Sequence, residues 1–396
     1  MSDLVVRAYN VGFGDAVLVS IPEDEGRRHD VVRHLLIDVG NLVAGEANED
    51  GVFTTVVADI AAKTGGEVDL YVMTHEHMDH VQGLLAARKA GHPLAAKYAW
   101  LTSSAATDYY ERHPNAHKER LDDQSRLTDV LAQQDVGSDP WLALMIRNNA
   151  ALLPDGALDL TTSSYVDHVR TVAPPDKTFY VDRSSSLNDK HPFTEAKLRI
   201  LAPESDTSTY YGRRKKNKTF TASEAVGVAS AGNPDEPVVA TGMLVPPVGV
   251  DAGSFFDLVN SRHQLNRETI LEIDAAANNT SLVLEIEWRG WTLLFPGDAE
   301  GRSWLTMKEN ELLRPVHFIK VSHHGSMNGT EPSVIEDLMP LVAPDQRERR
   351  AVVSTHEDDW DSVPDPPTLD LYRRRCTLLD TRTVSRGEAV EIVFAG

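Results

Sequence analysis

Apolar runs of strand length alternate with polar breaks and helix-period segments at both ends of the chain, while the middle lacks that rhythm. Leu4–Tyr9 and Val17–Ile21 read as strands, separated by the glycine-bearing turn Asn10–Ala16 and followed by a charged loop, Glu23–Arg28. His34–Gly40 is an apolar strand that ends in Asp38, Val39 and Gly40. Thr54–Lys63 carries a helical pattern, and Val68–Met73 is a buried strand. The stretch Thr74-His75-Glu76-His77-Met78-Asp79-His80 then forms a turn, and Gln82–Arg88 opens a helix.

Rhythm returns at Lys197–Leu201. Asn278–Trp288 and Trp291–Phe295 form a hairpin about Arg289-Gly290. Further strands are expected at Val316–Val321, Ala351–Ser354 and Ala389–Phe394, with helices near Ser303–Leu313, Pro332–Leu341 and Pro367–Arg375. Between the halves, 92–190 is polar and irregular, with helical pieces over Tyr109–Gln134 and Pro140–Leu152. Residues 204–277 hold a basic run, Arg213–Lys218, and a Pro/Gly-rich loop, Val245–Gly253. The expectation is a single α/β domain over 1–396, with 92–190 and 204–277 inserted as caps on one face.

Composition adds bounds. With 396 residues, 41% hydrophobic and 25% charged, the chain has material for an ample core. No apolar run approaches the roughly 18 residues that span a bilayer, and no basic segment leads into an apolar one at the start. A cytoplasmic protein without a membrane partner is expected. The lone Cys376 rules out an intramolecular disulfide and a thiolate zinc cluster. A net charge of −21, from 39 Lys and Arg against 60 Asp and Glu, argues against loose binding to nucleic acid. It leaves room for a local basic groove, because charges are screened over about 8 Å at physiological salt.

The candidate chemistry lies just past strand ends. In a near-extended segment His75 and His77 point the same way and can hold one ion. Asp79, His80 and a later histidine can hold a second, with Asp298 bridging. A zincin motif is excluded because Asp79, not histidine, stands four residues after His75. Such nitrogen and oxygen ligands suit zinc first, with manganese or iron as alternatives. Asp38 is expected to orient the histidine turn. His113, His117, His168 and His191 fall in no ligand-like pair and read as ordinary surface or core histidines. Arg213, Arg214, Lys215 and Lys216 are the candidates for contacting a phosphate-bearing substrate.

Six motifs then carry a resemblance. They are Asn-Val-Gly-Phe-Gly-Asp-Ala (10–16), Leu-Ile-Asp-Val-Gly (36–40), His-Glu-His-Met-Asp-His-Val-Gln-Gly-Leu (75–84), Asn-Asn-Thr-Ser-Leu-Val-Leu (278–284), Pro-Gly-Asp-Ala-Glu (296–300) and Ser-His-His-Gly-Ser (322–326). In this order they resemble the metallo-β-lactamase superfamily, and within it the ComEC-type competence branch. The resemblance implies a four-layer αβ/βα sandwich with a dinuclear site, and hydrolysis of phosphodiesters, including single-stranded DNA. By the same likeness His324 is the later metal ligand. His323 faces the substrate phosphate or the leaving group, and Asp79 and Asp298 join it as catalytic residues.

Two departures stand out. No histidine lies where many members carry one between the first motif and Asp298, so the His75/His77 ion is expected to be open or loosely held. Asn10 and Phe13 stand where the competence-type pattern has Asp and Gln. The expected function is cleavage of phosphodiesters by a hydroxide held between two divalent ions, with a nuclease favoured over a small-molecule phosphodiesterase or a phosphorylcholine-esterase-like enzyme. A lactonase or thioesterase of the same fold is the rival, and a scaffold that lost catalysis is the other.

Overall fold

A computed structural model describes residues 2–25, 28–42, 51–133, 140–149, 162–211, 267–343, 345–356 and 363–396. The strands are β1 (Leu4–Tyr9), β2 (Ala16–Glu25), β3 (Arg28–Val39), β4 (Glu67–Met73), β5 (Ala95–Thr102), β6 (Thr178–Val181), β7 (Lys197–Ala202), β8 (Val283–Trp288), β9 (Trp291–Phe295), β10 (Phe318–Lys320), β11 (Arg350–Val353), β12 (Thr377–Asp380) and β13 (Ala389–Phe394). They form two mixed sheets, ordered β13-β1-β2-β3-β4-β5-β6 and β12-β11-β10-β9-β8-β7. Each sheet has an antiparallel part and a parallel part. β13, β1, β2 and β3 are antiparallel neighbours, whereas β3 to β6 run parallel. β9 to β12 run parallel, and β7, β8 and β9 are antiparallel.

The helices are α1 (Val52–Thr64), α2 (Met78–Lys89), α3 (Tyr109–Arg112), α4 (Pro114–Gln133), α5 (Pro140–Asn148), α6 (Thr162–Val169), α7 (267–278), α8 (Gly301–Glu309), α9 (Pro332–Leu338) and α10 (Pro366–Arg373). Their packing produces a layered α/β sandwich. Val6, Val19, Leu70, Leu284, Phe318 and Phe394 belong to one core cluster between the sheets. Phe53, Val57, Val81 and Val166 from α1, α2 and α6 close the outer face of the first sheet. Trp304, Ile335 and Leu369 from α8, α9 and α10 do the same for the second. α1 shows the pattern behind this: Val52, Phe53, Val56, Val57 and Ile60 are buried along one face, and Gly65 stops the helix in the left-handed region at φ 73°. No helix among the described residues is long and apolar enough to cross a membrane.

Several sequence expectations need correction. The segment 92–190, read as an insertion, contributes β5 and β6 to the first sheet. The alanines of β5, Ala-Ala-Lys-Tyr-Ala-Trp-Leu-Thr, give a weak strand signal, and pairing with β4 decides its conformation. The charged loop at 23–28 is largely strand, because Glu23 is buried as an anchor. Its carboxylate accepts the N–H groups of Thr194, Glu195 and Ala196 and lies 3.3 Å from Arg33 Nε. β12 had no sequence signal beyond its register with β11. The cluster Arg213–Lys218 lies outside the described residues.

The parallel strands β3, β4, β9, β10 and β11 all end on the same edge, and their following loops converge there. The convergence is tight. A Cβ on Gly40 would sit 2.2 Å from the carbonyl carbon of Asp79 and 2.3 Å from the His80 nitrogen. Gly40→Ala is therefore expected to cost about 1–3 kcal/mol by overpacking. Thermal unfolding followed by circular dichroism checks it, and an unchanged Tm would refute the close approach.

Candidate metal centre

β4 delivers Thr74, His75 and His77 to the loop, and α2 begins at Met78, so Asp79 and His80 sit in the first helical turn rather than in the preceding loop. β9 leads to Asp298. β10 leads to His323 and His324, both held in the left-handed region at φ 46° and 52°. These backbones are strained for non-glycine residues, and the adjoining Gly325 packs against Pro364, Leu369 and Val353. His75, His77, Asp79, His80, Asp298 and His324 are all buried.

One face of the site is built from imidazoles whose outward nitrogens are already engaged. His80 Nδ1 donates to Asp38 Oδ2 at 2.8 Å, and His324 Nδ1 donates to the Ser354 carbonyl at 2.9 Å. His75 Nδ1 lies 3.1 Å from Thr74 Oγ1. Asp38 also accepts from the Thr74 N–H and hydroxyl, at 2.8 and 2.6 Å. Each of these rings thereby turns Nε2 inward. His80 Nε2 is 3.1 Å from Asp298 Oδ2, and His324 Nε2 is 3.2 Å from both Asp298 Oδ2 and Asp79 Oδ2. His77 differs: its Nε2 donates to Asn149 Oδ1 at 3.1 Å, which leaves Nδ1 to ligate.

Ligand atoms of Asp79, His80, Asp298 and His324 lie within 4.8 Å of one another, as do those of His75, His77 and Asp79. His75 Nε2 and Asp79 Oδ1, which fall in one ligand group, are buried without a hydrogen bond. Buried polar atoms are normally satisfied, so two orphans in one group mark a position for a Lewis acid. The side chains present therefore fit two adjacent cation positions, with Asp79 common to both groups. Outward nitrogens fixed by a carboxylate, a carbonyl or an amide are what orient histidine ligands.

Electrostatics agree with this geometry. Burial pushes His75 well below the usual imidazole value, and neighbouring His80 and His77 add to it, so its lone pairs are available. Burial also disfavours charge on His324, but Asp298 first, then Asp79 and Asp15, outweigh it and hold the ring at about 10. His80 is raised well above its ordinary value against the same burial, through Asp298, Asp79 and Asp38. Burial opposes charge on Asp298 as well, yet His324, His80 and Lys320 keep its carboxyl well below the usual range. Without ions, protons on His80 and His324 offset the carboxylates; divalent ions would replace those protons.

Several participants escaped the sequence reading. Lys320 on β10 is buried, contacts Asp15 Oδ2 and lies 3.2 Å from Asp298 Oδ1. Asp298 therefore offers its other oxygen, Oδ2, to the centre. A lysine inside the apolar run Val316–Val321 was a legible sign of a buried partner. Asp15 belongs to the 10–16 turn, and Phe13 of that turn packs on His324 with ring centroids 4.7 Å apart. His323 stands beside the centre rather than in it: its Nδ1 is 3.1 Å from Glu300 Oε1, and its ligand atom groups with Asp274 and Glu300. Burial lowers its pKa, but the Glu300 hydrogen bond and charge raise it overall. A small cleft opens at His77, lined also by Glu76, Tyr110, Arg120, Asn149 and Tyr211. His113, His117, His168 and His191 join no ligand group among the described residues.

The chain matches no known family model. No curated protein matches it either.

Proposed function

We propose that this protein is a metal-dependent hydrolase of phosphodiester bonds, built on a metallo-β-lactamase-like sandwich of the ComEC-type branch. The observation that carries the reading is the inward convergence of His75, His80 and His324 Nε2 with Asp79 and Asp298 at one sheet edge, every outward nitrogen being held by a partner. His75, His77 and Asp79 would hold one ion, and Asp79, His80, Asp298 and His324 the other. Zinc is the first choice and manganese the alternative for such ligands. Two divalent ions bound here supply activation of water near neutral pH and polarisation of the ester oxygens.

The chain's own groups do the rest. Lys320 fixes Asp298 through Oδ1, so that Oδ2 stays aimed at the centre. Asp38 holds the His80 ring and Thr74 in place. His323, whose pKa Glu300 raises against its burial, would give a proton to a departing alkoxide. A nuclease acting on single strands is the favoured form. A small phosphodiester is the second reading, because the cleft at His77 is lined by Glu76 and Asp123 together with Arg120, a setting that repels a continuous polyanion.

The test is turnover of end-labelled single-stranded DNA and of bis(p-nitrophenyl) phosphate by zinc- and manganese-loaded protein, with chelated protein as control. Metal-dependent cleavage of the strand supports the nuclease, and cleavage of the small diester alone supports the second reading. Folded protein holding two ions and cleaving neither sinks both.

A further inference from the structure

The stretches 140–149 and 267–278 lie outside the sheets, yet each delivers a buried polar side chain to the metal centre. Asn149 follows α5, Asp274 lies on α7, and both are buried. Asn149 Nδ2 donates to Asp274 Oδ1 at 2.8 Å and to the Met145 carbonyl at 2.9 Å. An amide whose nitrogen is engaged twice in this way must turn its oxygen outward. That oxygen accepts from His77 Nε2 at 3.1 Å. On its other side, Asp274 Oδ2 accepts from Asn278 Nδ2 at 3.1 Å, and the same amide donates to Glu300 Oε1 at 2.8 Å, the atom that faces His323. Asp274, Glu300 and His323 also bring ligand atoms within 4.8 Å of one another. The Asn278 amide nitrogen stands among them and donates to both carboxylates.

We propose that Asn149 and Asp274 are positioning residues for the His75/His77 ion: Asp274 orients the Asn149 amide, and the Asn149 oxygen fixes the His77 ring. The inference rests on the metal-centre reading above. It assigns a structural reason for the segments that interrupt the sandwich. Docking of α5 and α7 against the β4–α2 loop completes the histidine pair, in place of the further histidine ligand that the sequence lacks. The same carboxylate extends to His323 through Asn278 and Glu300, so one buried hydrogen-bonded chain joins the ion-binding side of the site to the proton-donating side.

The test compares wild type, Asn149→Leu, the exchange Asn149→Asp/Asp274→Asn and the double variant Asn149→Leu/Asp274→Asn. Stepwise zinc affinity is read by competition with a chromogenic chelator. The His77 ring is read by long-range ¹⁵N–¹H spectra, with circular dichroism and Tm as folding controls. Asn149→Leu is expected to weaken one zinc by about 10–100-fold, to leave the other within a few-fold, and to shift the His77 Nε2–H signal out of its hydrogen-bonded position. Asn149→Asp/Asp274→Asn, which keeps the acceptor toward His77 and supplies an amide donor at 274, recovers part of the affinity. Adding Asp274→Asn to Asn149→Leu weakens that ion further by less than the first step, because Asp274 acts mainly through Asn149 and its own Oδ1 lies 3.8 Å from His77 Nε2. Folded Asn149→Leu that holds both ions with wild-type affinity overturns the proposal. Wild type that takes up no zinc at all overturns the metal-centre reading and this inference with it. Two ions in wild type with no change in the variants removes this inference alone.

Discussion

Asp298→Asn is expected to reduce metal-dependent phosphodiester cleavage by at least about 10³-fold while leaving the sandwich folded. The substitution keeps the shape of the side chain and removes its charge. In the native site Oδ2 approaches His80 Nε2 at 3.1 Å and His324 Nε2 at 3.2 Å, and Oδ1 faces Lys320. An amide cannot supply the negative charge that offsets a bound cation, and its N–H groups would point at imidazole nitrogens that must be unprotonated to ligate. Ion-assisted charge stabilisation is worth several kcal/mol, and each 1.36 kcal/mol is tenfold in rate, which sets the figure of about 10³. Lys320 keeps Asp15 as a partner in the variant, so the fold should survive. Initial rates on both substrates, with metal content measured beside them, decide the matter. Wild-type rates in a variant that still holds two ions would remove Asp298 from the centre.

Apparent metal affinity is expected to rise steeply with pH, by about tenfold per pH unit for each proton displaced. The protons are those on His80, raised well above the usual imidazole value, and on His324, held at about 10. The sign for the metal-free protein is the reverse. The folded pKa of His324 exceeds its unfolded value of about 6.5, so its contribution to stability is fully present below that value and fades as pH rises through about 10. Asp298 acts in the opposite sense, since its folded pKa is depressed: its contribution is present above about 4 and is lost on acidification. Alkaline conditions should therefore loosen the metal-free protein and tighten the loaded one. Calorimetric zinc titration in buffers of different ionisation enthalpy counts the released protons. Unfolding curves with and without chelator from pH 6 to 10 show whether the two forms diverge. Proton release of zero would contradict the arrangement of His80 and His324 around the carboxylates.

Much of the site was readable because it is local. His75, His77, Asp79 and His80 lie within six residues, and each strand that delivers a later participant carries a clear apolar run. A strand end sets the next few residues at a sheet edge, so Asp38, Asp298 and His324 could be brought to the same place from the sequence alone. The boundary at Met78 was less legible, since a helix that starts inside a metal-ligand motif has no ordinary capping residue: His77 stands at the N-cap and makes no side-chain cap. β5 and β6 were hidden for a different reason. Their sequences are short or alanine-rich, and only pairing with β4 and with each other makes them strands.

The residues that were missed are those whose role depends on a distant partner. Asn149 and Asp274 lie in polar stretches where an amide or a carboxylate is unremarkable, and they come together across 125 positions of sequence. Glu300 belongs to the 296–300 motif, but its approach to His323 depends on how the α8 start meets the loop after β10. The sequence by itself determined the imidazole and carboxylate residues of the site, their order and the edge on which they gather, because these come from strand period and motif spacing. Tertiary structure alone decided which nitrogen of each ring faces inward, which oxygen of Asp298 is occupied by Lys320, and that segments outside the sheets reach His77. Those choices are made by hydrogen bonds between residues far apart in the chain, and no local pattern encodes them.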